Sequence, residues 1–248
     1  MEDLSLLIDL HQRASRQGPG SEQCSRQAMQ MAMLSPSSSL KIADIGCGTG
    51  ATTLLLAREL DAQVTAVDFL PEFLTILETR AESAGLSERI TTLACSMDEL
   101  PFAEEEYDVI WAEGSIYNMG FSKGVSEWKR FLKPGGLLVV SEITWLGSDR
   151  PVEIEQYWRE AYPEIATASS KIAVLENCGY TPVGYFVLPQ YCWNDNYYKP
   201  LQEMFPAFLE RNGGSASAQA IVAAEEQEIA HYQRFKAYYS YGMYLARR

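Results

Sequence analysis

The sequence predicts an α/β fold, strands and helices alternating around a mostly parallel sheet. Three observations carry that prediction. Residues 40–57 run from an apolar strand through Gly46, Gly48 and Gly50 into a helix. A second strand, 63–68, ends in Asp68, 22 positions beyond Gly46. Strand-like segments at 89–94, 107–112 and 137–140 then continue the alternation. The glycine corner is a natural ligand site, because glycine admits positive φ and close backbone approach while the first N–H groups of the next helix point across the turn. A tight turn without a ligand is the alternative reading.

Taken in order, residues 1–34 read as two helices, the second capped by Ser21, with Arg16-Gln17-Gly18-Pro19-Gly20 between them. Pro36-Ser37-Ser38-Ser39 marks a boundary, giving an N-terminal segment 1–39 and a core 40–248. Thr52–Leu60 forms the first core helix, and Pro71–Ala84 the second, stopped by Gly85. Glu113 and Tyr117 emerge from the carboxyl end of the fourth strand, the edge where open parallel sheets bind ligands. A helix through Trp128 and Phe131 precedes the fifth strand. Residues 150–166, rich in Tyr, Trp and Glu, suit a helical cap. A helix over 171–177, a sixth strand over 180–188, two helices within 197–235 and a closing strand over 240–246 complete the chain.

Asp44-Ile-Gly46-Cys47-Gly48-Thr-Gly50 resembles the first motif of the class I S-adenosylmethionine-dependent methyltransferases. Leu132-Lys-Pro-Gly-Gly136 resembles the segment that reverses the chain before that family's fifth strand. Cys95-Ser96-Met97-Asp98-Glu-Leu-Pro-Phe102 resembles its adenine-flanking loop, with Ser96 where the family has a leading Asp. The resemblance spans roughly residues 40–145. It implies a Rossmann-like, seven-stranded, mostly parallel sheet whose last strand is antiparallel, with helices on both faces and a small helical cap. It also implies S-adenosylmethionine as cofactor, held by Asp44, Gly46, Cys47, Gly48, Gly50, Asp68, Phe69, Ser96, Met97, Asp98 and Glu113. Residues 1–39 resemble the lid of small-molecule methyltransferases, adding Gly18 and Gly20; a mere linker is the alternative. Asp68 suits a ribose acceptor, with a turn or capping role as its alternative.

The expected function is methyl transfer to a small-molecule acceptor, through an aromatic-lined pocket that Trp145, Tyr157, Trp158 and Tyr162 join. If the acceptor must lose a proton, Glu113, Tyr117, Glu142 and His11 are the candidate bases. Gly46-x-Gly48-x-x-Ala51 also fits the looser dinucleotide fingerprint. A nicotinamide oxidoreductase is therefore the rival, disfavoured by Asp44, where dinucleotide sites carry an apolar residue, and by Leu132–Gly136. A non-catalytic cofactor-binding protein on the same fold is the third reading.

A net charge of −13, from 20 basic and 33 acidic residues, opposes phosphate backbones, so no nucleic-acid partner is expected. Acids near the start and no apolar run of the ~20 residues a membrane span needs point to a cytoplasmic protein without membrane contact. Five cysteines without a C-x-x-C pair, and His11 and His231 far apart, leave no dedicated metal site to expect. A homo-oligomer stays open.

Overall fold

The computed structural model describes residues 2–36 and 39–248. Ser37 and Ser38 of the expected boundary therefore lie outside the described residues.

The core is a single sheet in the order β3-β2-β1-β4-β5-β8-β7. Its parallel strands are β1 (Leu40–Ile45), β2 (Ala62–Asp68), β3 (Ile90–Ala94), β4 (Tyr107–Glu113) and β5 (Leu132–Trp145). β8 (Tyr239–Arg247) inserts antiparallel between β5 and β7 (Thr181–Val187), which is the expected topology. The strand that escapes sequence reading is β6 (Ala166–Thr167), two residues beside Thr144 and Trp145 and too short to carry a pattern.

Side chains alternate across the sheet and build a core on each face. Ile42, Val109, Trp111 and Val139 face one apolar layer, while Ala43, Ile45, Ile110, Leu138 and Val140 face the other. The same period of two puts Glu113 on the face of Trp111, whose indole Nε1 donates to it over 2.9 Å. β5 begins earlier than expected, because its ladder to β4 starts at Tyr107–Leu132 and resumes at Val109–Leu137. Pro134 and the glycines form a bulge in that ladder rather than a loop preceding it, and the strand runs on to Trp145.

Two helices precede the sheet, α1 (Glu2–His11) and α2 (Glu22–Met31); Ser21 caps the second by accepting from Cys24 N at 3.0 Å. The other helices are α3 (Ala51–Glu59), α4 (Pro71–Ser83), α5 (Phe121–Trp128), α6 (Val152–Ala161), α7 (Ala168–Asn177), α8 (Gln190–Trp193), α9 (Lys199–Arg211) and α10 (Ala216–Phe235). A π-helical turn, Asn194–Tyr198, continues α8 into α9. That turn and α8 were not legible in the sequence. α1 rests on α9 and α10 through Asp9–Arg211 at 2.7 Å and His11–Glu225 at 3.1 Å. Among the described residues, no helix is long and apolar enough to cross a membrane.

Candidate active site

Three cavities meet above the carboxyl ends of β1, β2 and β4, and Gln17 and Gly114 line all three. The smallest, about 80 Å³, is polar and walled by Arg16, Asp44, Gly46, Cys47, Gly48 and Glu113. A groove of about 500 Å³ runs over Asp68, Phe69, Ser96, Met97, Asp98 and Tyr117. A chamber of about 290 Å³ lies on the other side of Gly114, and nine of its sixteen lining residues are tyrosine or tryptophan.

The glycine corner is held by backbone and by Asp68. Gly46 N and Cys47 N both donate to Val67 O, at 2.8 and 2.9 Å. One Asp68 oxygen accepts from Gly48 N at 2.8 Å and the other from Leu70 N at 3.0 Å. Asp68 thus ties the corner to the end of β2 while bordering the groove, so the turn role and the ligand-facing position coexist. Burial raises its pKa, with these backbone donors opposing the rise. Gly46 has φ +74, and a Cβ there would lie 2.3 Å from Ser115 Cβ, so no other residue fits without displacing that side chain.

Asp44 is fully buried and accepts from Thr53 Oγ1 at 2.6 Å. Its pKa is pushed up to about 7, first by burial and further by the charge of Glu113, with the Thr53 bond opposing. Glu113 is saturated: it accepts from Ser25 Oγ at 2.6 Å, Trp111 Nε1 at 2.9 Å and Arg16 Nη1 at 3.3 Å. The other Arg16 terminal nitrogen, Nη2, is buried without a partner, an uncompensated donor that a ligand anion would satisfy. A guanidinium with an orphan donor and a buried carboxylate in one polar recess match the two charged ends of an amino acid.

The segment 14–20 covers this recess. Gln17 Oε1 accepts from Thr49 N at 2.8 Å, and Arg80 donates to Ala14 O at 3.0 Å and Thr49 Oγ1 at 2.6 Å. Asn196 Nδ2 fixes Gly20 O at 2.8 Å.

The sequence-derived candidates separate under this geometry. Asp44, Gly46, Cys47, Gly48, Gly18 and Glu113 wall the polar recess, and Asp68, Phe69, Ser96, Met97 and Asp98 wall the groove. Gly50 and Gly20 are not among the lining residues of the three cavities. Gly50, at φ +87, makes room for Leu77, whose Cδ1 would lie 2.1 Å from an added Cβ. A Cβ on Gly20 would meet Arg16 Nη1 at 2.5 Å, so that glycine serves the Arg16–Glu113 pair. Among the candidate bases, His11 is bonded to Glu225 outside the cavities. Glu142 is sealed under Lys171, whose Nζ donates to it at 2.7 Å. Glu113 already accepts three donors, Ser25, Trp111 and Arg16. Tyr117 alone borders both the groove and the chamber, with 41% of its surface exposed.

Trp158, Tyr157 and Tyr162 line the chamber as expected, whereas Trp145 is buried and outside its lining. Sequence reading missed Arg16, Gln17, Trp193, Tyr197, Glu228 and Tyr241. The first two stand in the segment the sequence flagged, and their neighbouring glycines drew the attention. The others come from the C-terminal half and reach the site only through β8 lying beside β5. Among the described residues, no cluster of His, Cys, Asp and Glu could hold a metal.

Residues 42–136 match the family described as "Methyltransferase domain". Over that stretch the chain is similar to methyltransferase domains, and its fold is that of S-adenosylmethionine-dependent methyltransferases. Among curated relatives, the methyltransferase GfsG of Streptomyces halstedii is 32% identical over 109 residues, 44% of this chain and 39% of that protein. The chain spans between 29% and 51% of the length of the curated relatives it matches. The fold matches an S-adenosylmethionine-dependent methyltransferase from Geobacter sulfurreducens solved with S-adenosylhomocysteine, at TM-score 0.84, 18% identity and coverage of 99% of this chain and 97% of that one. It also matches the [4+2]-cyclase SpnF, at TM-score 0.74, 22% identity and coverage of 92% and 81%.

Proposed function

We propose that this chain transfers the methyl group of S-adenosylmethionine to a small-molecule acceptor bound in the aromatic chamber. The observation that carries the reading is the meeting of a polar recess, a long groove and an enclosed chamber at Gln17 and Gly114. Arg16 and Asp44 would hold the amino-acid end of the cofactor, Asp68 its ribose, and the loop 95–98 its adenine. When bound, S-adenosylmethionine supplies a methyl group on a positively charged sulfur.

The protein's own contribution is placement and exclusion of water. The segment 14–20 roofs the junction, and Tyr241 closes it from β8, its hydroxyl 3.9 Å from where a Cβ on Gly114 would stand. Tyr117 keeps its proton, because burial raises its pKa, so it orients an acceptor as a hydrogen-bond donor rather than serving as a ready base. Glu113 acts as a positioning residue for Arg16.

The test is calorimetric titration with S-adenosylhomocysteine and NAD, followed by mass detection of methyl transfer from labelled S-adenosylmethionine into a metabolite extract. Binding of S-adenosylhomocysteine with label in a metabolite is the expected result. Label in tRNA or DNA and in no metabolite would remove the small-molecule acceptor. Binding without transfer would favour a non-transferring use of the fold.

A further inference from the structure

The chamber is aromatic on most of its wall, and its one ionisable side chain besides tyrosine is Glu228 of α10; no Lys, Arg or His lines it among the described residues. Glu228 Oε1 accepts from Tyr198 Oη at 3.0 Å, and its second oxygen has no hydrogen-bond partner among the described residues. Glu228 keeps more than a third of its surface accessible while lining an enclosed space. Its charge is felt at the phenols of Tyr117, Tyr157, Tyr197, Tyr239 and Tyr241, which burial in the first place keeps protonated. The carboxylate lines the same chamber as these rings. Behind it, Tyr232, Trp193 and Tyr241 form a nearly parallel stack at 4.5 and 5.2 Å, which fixes the wall.

We infer that the chamber recognises an acceptor through a cationic nitrogen, a protonated amine or a quaternary ammonium, with Glu228 as its counter-ion and the tyrosine and tryptophan faces as its cage. The physical reasons converge. Aromatic faces carry negative quadrupole density and attract a soft cation. A carboxylate set among those faces gives such a cation a direct ionic partner. An anionic acceptor would meet Glu228 with no Lys, Arg or His in the chamber lining, among the described residues, to offset it. A divalent metal would want several oxygen ligands around one point, and the chamber offers one carboxylate. Lys171, 5.5 Å from the centroid of the lining ring of Tyr162, is already committed, its Nζ pairing with Glu142.

This inference rests on the reading of the chamber as the acceptor site. Its test uses the full chain saturated with S-adenosylhomocysteine, whose neutral sulfur keeps the cofactor's own charge out of the measurement. Choline and its uncharged isostere 3,3-dimethylbutan-1-ol are titrated in parallel. Choline should bind at least about tenfold more tightly. Glu228→Gln should erase most of that preference while leaving the alcohol and S-adenosylhomocysteine within about twofold. Equal binding of the two probes by the unmodified protein overturns the proposal without recourse to any variant. If Glu228→Gln weakens S-adenosylmethionine but not choline, the cage serves the sulfonium and the proposal also falls. Failure of the first saturation with S-adenosylhomocysteine would instead bring down the methyltransferase reading, so the two are distinguishable.

Discussion

The groove and the chamber share Gln17 and Gly114 yet are built in opposite ways. The groove is made at the ends of adjacent parallel strands, from the glycine corner that Asp68 holds and from the loops that follow β2, β3 and β4, and all its lining but Leu4 and Gln17 falls within residues 46–118. The chamber is made from side chains of α6, α8, the π turn, α10 and β8, which approach one another only because β8 returns antiparallel beside β5. A site built from backbone tolerates little change in sequence, since its donors are fixed by glycine conformations and strand register. A site built from side chains can be rewritten one residue at a time, which is how one fold serves many acceptors.

That contrast predicts separable effects, the largest at Asp68. Hydrogen bonds to a charged group are worth roughly 1.5–3 kcal/mol, so Asp68→Ala should weaken S-adenosylhomocysteine by about ten- to a hundredfold. It should also lower stability, because Gly48 N and Leu70 N lose their acceptor. Trp158→Ala, in the chamber wall, should leave S-adenosylhomocysteine affinity within about twofold and reduce acceptor turnover. Calorimetry on both folded variants checks the pair. Comparable losses of cofactor affinity in the two would mean that groove and chamber are one energetic unit.

The same contrast explains what the sequence disclosed. Asp44, Gly46, Gly48 and Asp68 were legible because their roles depend on local spacing: a strand, a turn and a second strand of fixed length place them together whatever the rest of the chain does. The room that Gly50 makes for Leu77 was not legible, because positive φ beside a ligand and positive φ over a packed side chain look identical in a sequence. Glu228 was illegible for a different reason. It lies in a long helix with acids at 225, 226 and 228, and only tertiary packing sets them apart, Glu225 on His11 of α1 and Glu228 on Tyr198 of the π turn. Arg16 could have been found, as a cation beside a glycine-rich cover over a motif whose ligand carries a carboxylate.

A second effect, of intermediate size, concerns the polar recess. In the free protein Asp44 titrates near 7, raised by burial and by Glu113, with Arg16 opposing. Its folded pKa lies above the ordinary 3.8, so the free protein loses stability as pH rises from that value to about 7 and changes no further from this group above it. Ligand binding runs the other way, because only the ionised carboxylate pairs with an ammonium. S-adenosylhomocysteine affinity should therefore strengthen by about tenfold between pH 6 and pH 8, and Asp44→Asn should flatten the profile. A flat profile in the unmodified protein would show that the ammonium is held elsewhere.

The smallest effect is expected in the cover itself. Gly18-Pro19-Gly20 combines flexible and fixed φ positions, the composition of a hinged lid, and we expect residues 10–25 to gain protection from hydrogen exchange when the cofactor site is filled. The gain should be modest, because the segment is already docked by Gln17 on Thr49, by Arg80 on Ala14 and by Asn196 on Gly20. One or two new hydrogen bonds at about 0.5–1.5 kcal/mol each correspond to slowing of roughly tenfold rather than a transition from open to closed. Gln17→Ala should raise exchange in the free protein and widen the difference that ligand makes. Exchange rates for this segment that are the same with and without S-adenosylhomocysteine would show that it is a fixed wall of the recess, built like the groove beneath it and not like a lid.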